Sequence, residues 1–372
     1  MDTTTWEAAG LYDPSAPGAA ERRELLAYLV GRGATIESMV EAHRINNLPG
    51  LAGELAVGDG PPPRVPLPEL AHRTGLSEER LHRVMVAAGL PLGSDGSIDG
   101  DLDGLFTAFQ AGSAVFGDEG VLAFARVMGA AARNITEAAV ALFYAEVGPG
   151  SGRQGPDELA RARVAETASL AFSLLPDAFN QLLRAQFYRV TRSVAGTRVW
   201  GDVAEPAGAG EAVALGFVDL VGSTAWAEGL SLREHSLALS RFESAAWSSA
   251  VLAGGRVVKM VGDEVFFAAP TVEAASRIGL EVCAAVAADP VLPPARGAVG
   301  FGLVTPREGD YFGPLVNFIS RLVKAAAPGE LVVTEEAAAG LDRDGWTVEA
   351  LTPVALRGVE GEARAFRVRG AD

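Results

Sequence analysis

A single cysteine, Cys283, in 372 residues excludes an internal disulfide framework. Its alanine and valine neighbours mark it as a packed side chain rather than a reactive thiol. Long apolar runs are also missing. A membrane span needs about 18 or more uncharged apolar residues, and the most apolar helical candidate, 121–147, is interrupted by Arg126, Arg133 and Glu137. The opening MDTTTWEAAG carries no basic-then-apolar signal pattern, so the expectation is a soluble cytoplasmic protein with no membrane partner. Positive charge is scarce. The net charge is −16, and residues 1–200 carry 17 basic and 24 acidic groups against 14 and 23 in residues 201–372. Neither half has the positive field that phosphate-backbone binding requires, which argues against nucleic acid as a partner. Scarcest of the cations is lysine: of 31 cationic side chains only Lys259 and Lys324 are not arginine.

What is present is a globular chain, 49% apolar and rich in alanine, long enough for two or three cores. Two Gly/Pro-rich stretches divide it, GPGSGRQGP at 148–156 and GDVAEPAGAGE at 201–211. The expected domains are a helical unit over 1–156, a helical coupling segment over 157–211 and a second domain over 212–372. Before residue 200 the apolar period is helical over 21–31, 35–44, 67–88, 105–147 with a break near Gly117, and 157–199, where Pro176 should kink or restart the helix. After residue 211 short β-branched runs alternate with helical stretches. That order predicts an α+β domain in which helices cover one face of a largely antiparallel sheet. Gly262, Asp263 and Glu264 read as a tight hairpin between two strands.

Three stretches carry chemistry. GFVDLVGST (216–224) runs a strand into Asp219 and breaks at Gly222, and the hairpin in KMVGDEVFF (259–267) presents Asp263. Adjacent strands would bring these carboxylates together, and two close carboxylates repel unless a divalent cation lies between them. Taken singly, an aspartate beside a glycine is more often a turn residue. Lys259 sits inside an apparently buried strand, so it needs a partner or a ligand. The third stretch, GDYFGPLVNFISRL (309–322), spaces Asp310, Asn317 and Arg321 by seven and four, with the last two on one helix face.

Together with Asp219, Lys259 and Asp263, these residues resemble the class III nucleotide cyclase pattern at all six functional positions. The surroundings agree: Arg296 before a strand, PGELVVT at 328–334 and LRGVEGEARAFRV at 356–368. The resemblance spans about residues 212–369. It implies a ferredoxin-like α+β catalytic domain behind an all-α N-terminal domain, and an adenylate cyclase that converts ATP to 3′,5′-cyclic AMP and pyrophosphate. By the same resemblance Asp219 and Asp263 hold two Mg²⁺ or Mn²⁺ ions per active site, while Lys259 and Asp310 read adenine at ring N1 and the 6-amino group. Asn317 would orient the ribose, Arg321 would steady charge on the α-phosphate, and Arg296 would meet the pyrophosphate. Family sites form between two catalytic domains, which implies a homodimer with two sites.

Departures from the pattern are Ser223 where an aromatic is common, Ser320 for alanine and Ala298 for glycine. Glu264 makes the hairpin look like the GGDEF signature of diguanylate cyclases, the alternative for the substrate. That signature fails at Val261 and at the Lys259/Asp310 pair.

In the N-terminal half, 65–91 has the form of a helix-turn-helix with Ser77 as the cap of its second helix. Read as a DNA-binding unit, it would make the chain a regulator with a nucleotide-sensing domain. The acidic residues opening that helix favour a structural three-helix unit instead. In DGSIDGDLDG (95–104), Asp99, Asp101 and Asp103 followed by Gly104 look like the first half of a calcium loop, but its twelfth position, counted from Asp99, is Gln110, so an acidic turn is expected. Residues 1–200 resemble, more loosely, the helical regulatory domain of actinobacterial cyclases, including pH-sensing autoinhibited ones. Three of the four histidines, His43, His72 and His82, lie here. An apolar ligand for this alanine-rich half is left as an open alternative.

Overall fold

The computed structural model describes residues 3–58, 64–93, 95–99, 102–147, 158–197, 210–356, 358 and 361–370. Both Gly/Pro stretches, except residues 210 and 211, lie outside them, as does Asp101 of the acidic turn. The chain divides into two compact units, Met1–Gly201 and Asp202–Asp372. Among the described residues no helix is long and apolar enough to cross a membrane.

The first unit opens with α1 (Thr3–Ala8), α2 (Ala19–Gly31), α3 (Ile36–Arg44) and α4 (Leu51–Val57). Thr35 and Ser38 close a reciprocal capping box at the start of α3, so its first N–H groups are satisfied within the chain. Trp6, Leu25, Leu26, Leu29, Met39 and Leu51 fill one core. A second core is built around β1 (Arg64–Pro66), α5 (Leu67–Thr74), α6 (Glu78–Ala87), β2 (Ser97–Asp99) and the long α7 (Asp103–Val147). The paired three-residue strands β1 and β2 are a small departure from an all-α unit.

The helix-turn-helix form is present. Gly75 closes α5 in the left-handed region, Ser77 accepts from the Arg80 amide, and Leu81 and Val84 are buried. However, Arg80 and Arg83 on α6 pair with Asp118 and Glu119 of α7, at 2.7 and 2.5 Å. The helix's own cations are therefore spent inside the unit. At Gly117 (φ 74°) α7 breaks where the sequence puts a break. An apolar cleft of about 520 Å³ opens at that break, lined by Phe109, Phe116, Phe124 and Met128.

Two helices follow, α8 (Glu158–Phe172) and α9 (Leu175–Thr197), with Pro176 in the first turn of α9. The expected coupling segment is thus split. Ala162 of α8 belongs to the first core, Arg22 grips Glu158 through two donors at 2.7 and 2.8 Å, and Tyr28 donates to Glu166. Many apolar side chains of α9 are exposed, among them Leu182, Leu183 and Phe187.

In the second unit, β3 (Glu211–Leu220) is followed by α10 (Ser223–Glu228) and α11 (Leu232–Leu252). The hairpin β4 (Arg256–Val261) and β5 (Glu264–Ala269) comes next, then α12 (Val272–Ala287) and β6 (Ala295–Arg307). After β7 (Asp310–Phe312) come α13 (Pro314–Leu322), a 3₁₀ turn at Val323–Ala325, β8 (Leu331–Thr334) and α14 (Glu335–Gly340). The unit closes with β9 (Trp346–Ala350), β10 (Val354–Ala355), β11 (Glu362–Ala363) and β12 (Ala365–Gly370). The main sheet runs β4-β5-β3-β6-β8-β12-β9, antiparallel except for the parallel β6–β8 pair.

Alternation along the central strands sends side chains to two cores. Ala214, Val218 and Leu220 of β3 meet Phe242 of α11 and Ile278 and Val282 of α12 on one face. Val213, Leu215 and Phe217 meet Ile319 and Leu322 of α13 on the other. Helices therefore pack on both faces, whereas the strand-and-helix order predicts one. The amphipathic α13, with Ile319 and Leu322 buried and Asn317 and Arg321 exposed, needs a sheet face of its own. At Gly216 an added Cβ would meet the Phe267 ring at 2.2 Å, so only glycine lets that ring lie flat on β3. Cys283 is buried, and burial pushes its thiol up to about 12, as expected of a packed side chain.

Candidate active site

The second core ends where β3, β5 and β6 turn polar. On β3 the inward series Val213, Leu215, Phe217 continues to Asp219. On β5 the series Ala268, Phe266 continues to Glu264, and on β6 Ala298 gives way to Arg296. Register puts Asp219 opposite both Glu264 and Arg296. The three polar side chains thus share one face, above the Phe217–Phe266 stack (4.5 Å between centroids).

The hairpin turn is shorter than its sequence implies. Glu264 already pairs with Val261, so the loop is Gly262 and Asp263 alone, with Gly262 at φ 62°. The Asp263 carbonyl accepts from the Leu220 amide at 3.1 Å, tying the turn to the end of β3. A cleft of about 390 Å³ results, lined by Asp219, Ser223, Asp263, Glu264, Arg296 and Lys324. In it Arg296 donates to Asp219 through Nε (3.1 Å) and Nη2 (2.9 Å), both to Oδ2, while Ser223 donates to Oδ2 of Asp263. Burial, and next the negative charge of Asp219, push the Glu264 carboxyl up to about 7.

Lys259 lies on the edge strand β4, where a bulge between Val257 and Lys259 shifts the register. Its Nζ donates to Asp310 Oδ2 at 2.5 Å and sits 5.8 Å from the Phe266 ring centroid. The partner expected from the sequence is the one found. The expected burial is not: the Lys259 side chain keeps 48% of its accessibility. An edge strand has no neighbour to cover it.

Asn317 and Arg321 project from α13 into a different cleft, of about 840 Å³, shared with Thr334, Glu336 and Gly358. Arg321 donates to the Gly358 carbonyl at 3.2 Å. Within one chain the seven expected residues therefore form three groups: Asp219, Asp263 and Arg296; Lys259 and Asp310; Asn317 and Arg321. Sequence reasoning gave no role to Ser223, Glu264 or Lys324, all of which line the first cleft. The signals for them were Ser223 replacing an aromatic and the scarcity of lysine.

The whole chain has relatives. It is 30% identical over 381 residues to an uncharacterised protein of Mycobacterium tuberculosis, covering all of this chain and 97% of that one. It is 29% identical over 375 residues to a pH-sensitive adenylate cyclase of the same species, covering 96% of this chain and 90% of the other. An adenylate cyclase of Glutamicibacter nicotianae is 36% identical over 146 residues, 39% of this chain and 36% of that protein. The chain belongs to the class III nucleotide cyclases.

No family model matches this cyclase. Among solved structures it is similar to the guanylate cyclase domain of RhGC from Catenaria anguillulae in complex with GTP (TM-score 0.41, 18% identity, 45% of this chain and 100% of that one). An adenylyl cyclase from P. aeruginosa is also similar (TM-score 0.38, 20% identity, 43% and 95%). The donor set of the first cleft suits a divalent cation. Asp219 and Asp263 each engage Oδ2 and keep Oδ1 without a hydrogen bond among the described residues. Two carboxylates, with no set of three or more acidic, imidazole or thiol side chains arranged to hold a metal ion among the described residues, match a hard cation that takes its other ligands from phosphate and water.

Proposed function

We propose that this cyclase is an adenylate cyclase, forming 3′,5′-cyclic AMP and pyrophosphate from ATP. The Lys259–Asp310 pair carries the reading. An ammonium donor beside a carboxylate acceptor matches adenine, which offers N1 as an acceptor and the 6-amino group as a donor. Guanine offers a carbonyl and a protonated ring nitrogen instead, so both contacts would be wrong, and unsatisfied polar groups are costly. The half-exposed Lys259 suits this role, because it is desolvated when a base covers it.

Asp219 and Asp263 would hold two Mg²⁺ or Mn²⁺ ions, whose chemistry when bound is to polarise the α-phosphate and lower the pKa of the ribose 3′-hydroxyl. Asn317 orients the ribose. Arg321 meets the charge that develops on the α-phosphate with a fixed guanidinium fork. The split of these residues into three groups supports a homodimer, with one chain giving the carboxylates and its partner giving Lys259, Asp310, Asn317 and Arg321. Exposed Val261 and Phe312, beside the hairpin and Asp310, are apolar surface available to that interface.

In the same reading residues 212–372 are the catalytic domain, 1–156 a regulatory domain and 157–211 the coupling segment, with α9 its exposed part. Control by pH is supported by the full-length likeness to a pH-sensitive cyclase. His43, His72 and His82, which motivate that reading in the sequence, are all solvent-exposed. The test is incubation of the full chain with ATP or GTP and Mn²⁺ across mildly acidic to mildly alkaline pH. Cyclic AMP formed in preference to cyclic GMP is expected; no cyclic nucleotide at any pH would sink the proposal.

A further inference from the structure

The cleft that holds Asp219 and Asp263 contains two cations, and the structure gives them different freedom. Arg296 turns three of its donors inward: Nε and Nη2 to Asp219, and Nη1 to the Lys324 carbonyl at 3.1 Å. Its side chain keeps only 20% of its accessibility. Lys324 is the reverse case. Its backbone is anchored, since its carbonyl is held by Arg296 and its flanks Val323 and Ala326 are buried in the second core. Its side chain is exposed, lines the cleft, and makes no hydrogen bond or ion pair among the described residues. The group that sequence comparison offers for the pyrophosphate, Arg296, is occupied with a carboxylate, whereas Lys324 beside it has no hydrogen-bond or ion-pair partner among the described residues and acts on the Glu264 carboxyl only through its charge.

Building on the cyclase reading above, we infer that Lys324 binds the β- and γ-phosphates of the substrate and holds the pyrophosphate as it leaves. Charge supports this. The triphosphate is tetra-anionic, and an ammonium lining the cleft can make charge-assisted contacts with its terminal phosphates. Residue choice supports it as well. The chain uses arginine at all but two of its 31 cationic positions; one of the two lysines is Lys259, paired with Asp310, and the other lines this cleft. An arginine at 324 would present a planar fork that closes bidentately on the neighbouring carboxylates before any cation arrives. The ammonium is a compact charge with three rotatable donors, which can follow a phosphate through an in-line displacement.

The test uses the full chain with inorganic pyrophosphate as the probe. In Mn²⁺ buffer, calorimetric titration and inhibition of cyclic AMP formation should both show Lys324→Ala weakening pyrophosphate binding by about tenfold, the order expected for one charge-assisted contact. The KM for ATP should rise by a similar factor and kcat should fall by less, while inhibition by adenosine is unchanged. Lys324→Gln, which keeps the length of the side chain, should behave alike, and it decides the matter if the alanine variant fails to fold. Pyrophosphate affinity equal to wild type would overturn the inference. So would a rise in Mn²⁺ affinity with pyrophosphate binding untouched, because Lys324 would then only offset the carboxylates. The two claims separate cleanly. A wild-type chain that makes no cyclic nucleotide, yet loses pyrophosphate binding in both variants, refutes the reaction and leaves Lys324 as a polyphosphate ligand.

Discussion

Arg296 and Asp219 face each other across β3 and β6, and the guanidinium places two donors on a single carboxylate oxygen, at 3.1 and 2.9 Å. Both side chains are largely buried, with 20% and 13% of their accessibility left. An aspartate at the end of a buried strand would be costly alone, so Arg296 makes Asp219 tolerable in the chain without a cation. The same contact competes with a cation for Asp219. Arg296→Ala should therefore lower the stability of the cation-free protein by about 2 kcal/mol, since it strands a partly buried carboxylate. It should also enlarge the thermal stabilisation that added Mn²⁺ produces. Unfolding with chelator and with Mn²⁺ reads both effects; a loss of stability that Mn²⁺ does not repair would refute the competition.

The base-reading pair predicts a change of substrate rather than a loss of fold. Lys259 is half exposed and Asp310 lies on a three-residue strand, so changes at both should leave the sheet intact. Lys259→Glu with Asp310→Cys replaces the adenine-matched donor and acceptor. Selectivity for ATP over GTP should fall by about a hundredfold or more, the scale on which unmatched buried polar groups discriminate. Ratios of kcat/KM for the two nucleotides provide the measurement, and an unchanged ratio would remove both residues from base recognition.

Glu264 links the site to pH. Burial, with repulsion from Asp219, raises its carboxyl from 4.5 to about 7 in the folded chain. The folded state then binds the proton more tightly than the unfolded one. That stabilisation is complete below about pH 4.5 and is lost as pH rises through about 7. Discounted for solvent screening of a partly exposed group, it amounts to on the order of 1 kcal/mol. Glu264→Gln should be more stable than wild type at about pH 8 and show no such advantage at about pH 5. Urea unfolding in chelator at the two values is the measurement. A stability difference independent of pH would mean that Glu264 is ionised throughout.

Much of this was legible in the sequence because it is written in short-range patterns. Alternation in GFVDLVGST gives β3 and the carboxylate at its end. The spacing of Asn317 and Arg321 gives one face of α13, and Gly117 and Pro176 mark breaks in the helices where the chain has them. The failures come from contacts that no local pattern encodes. Lys259 reads as buried because its neighbours are apolar, but β4 is an edge strand, and strand order is a property of the whole sheet. The second helical layer follows from α13 crossing the face opposite α11 and α12, which alternation alone cannot assign. The role of α8 depends on Arg22 and Glu158, 136 residues apart. The pairing of Arg296 with Asp219, 77 residues apart, depends on register.

The division of site residues predicts complementation between two inactive chains. In the proposed reading, Asp219→Ala removes a metal carboxylate and Asn317→Ala removes the ribose contact on α13. In a two-chain site each variant spoils both sites of its own homodimer. In a mixed dimer both losses fall on one site and the other is whole. Each variant alone should show well under about 1% of wild-type activity. Mixing equal amounts should restore activity toward about a quarter of wild type, since half of the dimers are mixed and each has one intact site. Cyclic AMP formation before and after mixing, under conditions that allow subunits to exchange, reads the result. If the mixture stays inactive while subunit exchange is demonstrated independently, the three groups of residues must meet within one chain, through a rearrangement that brings α13 to the hairpin.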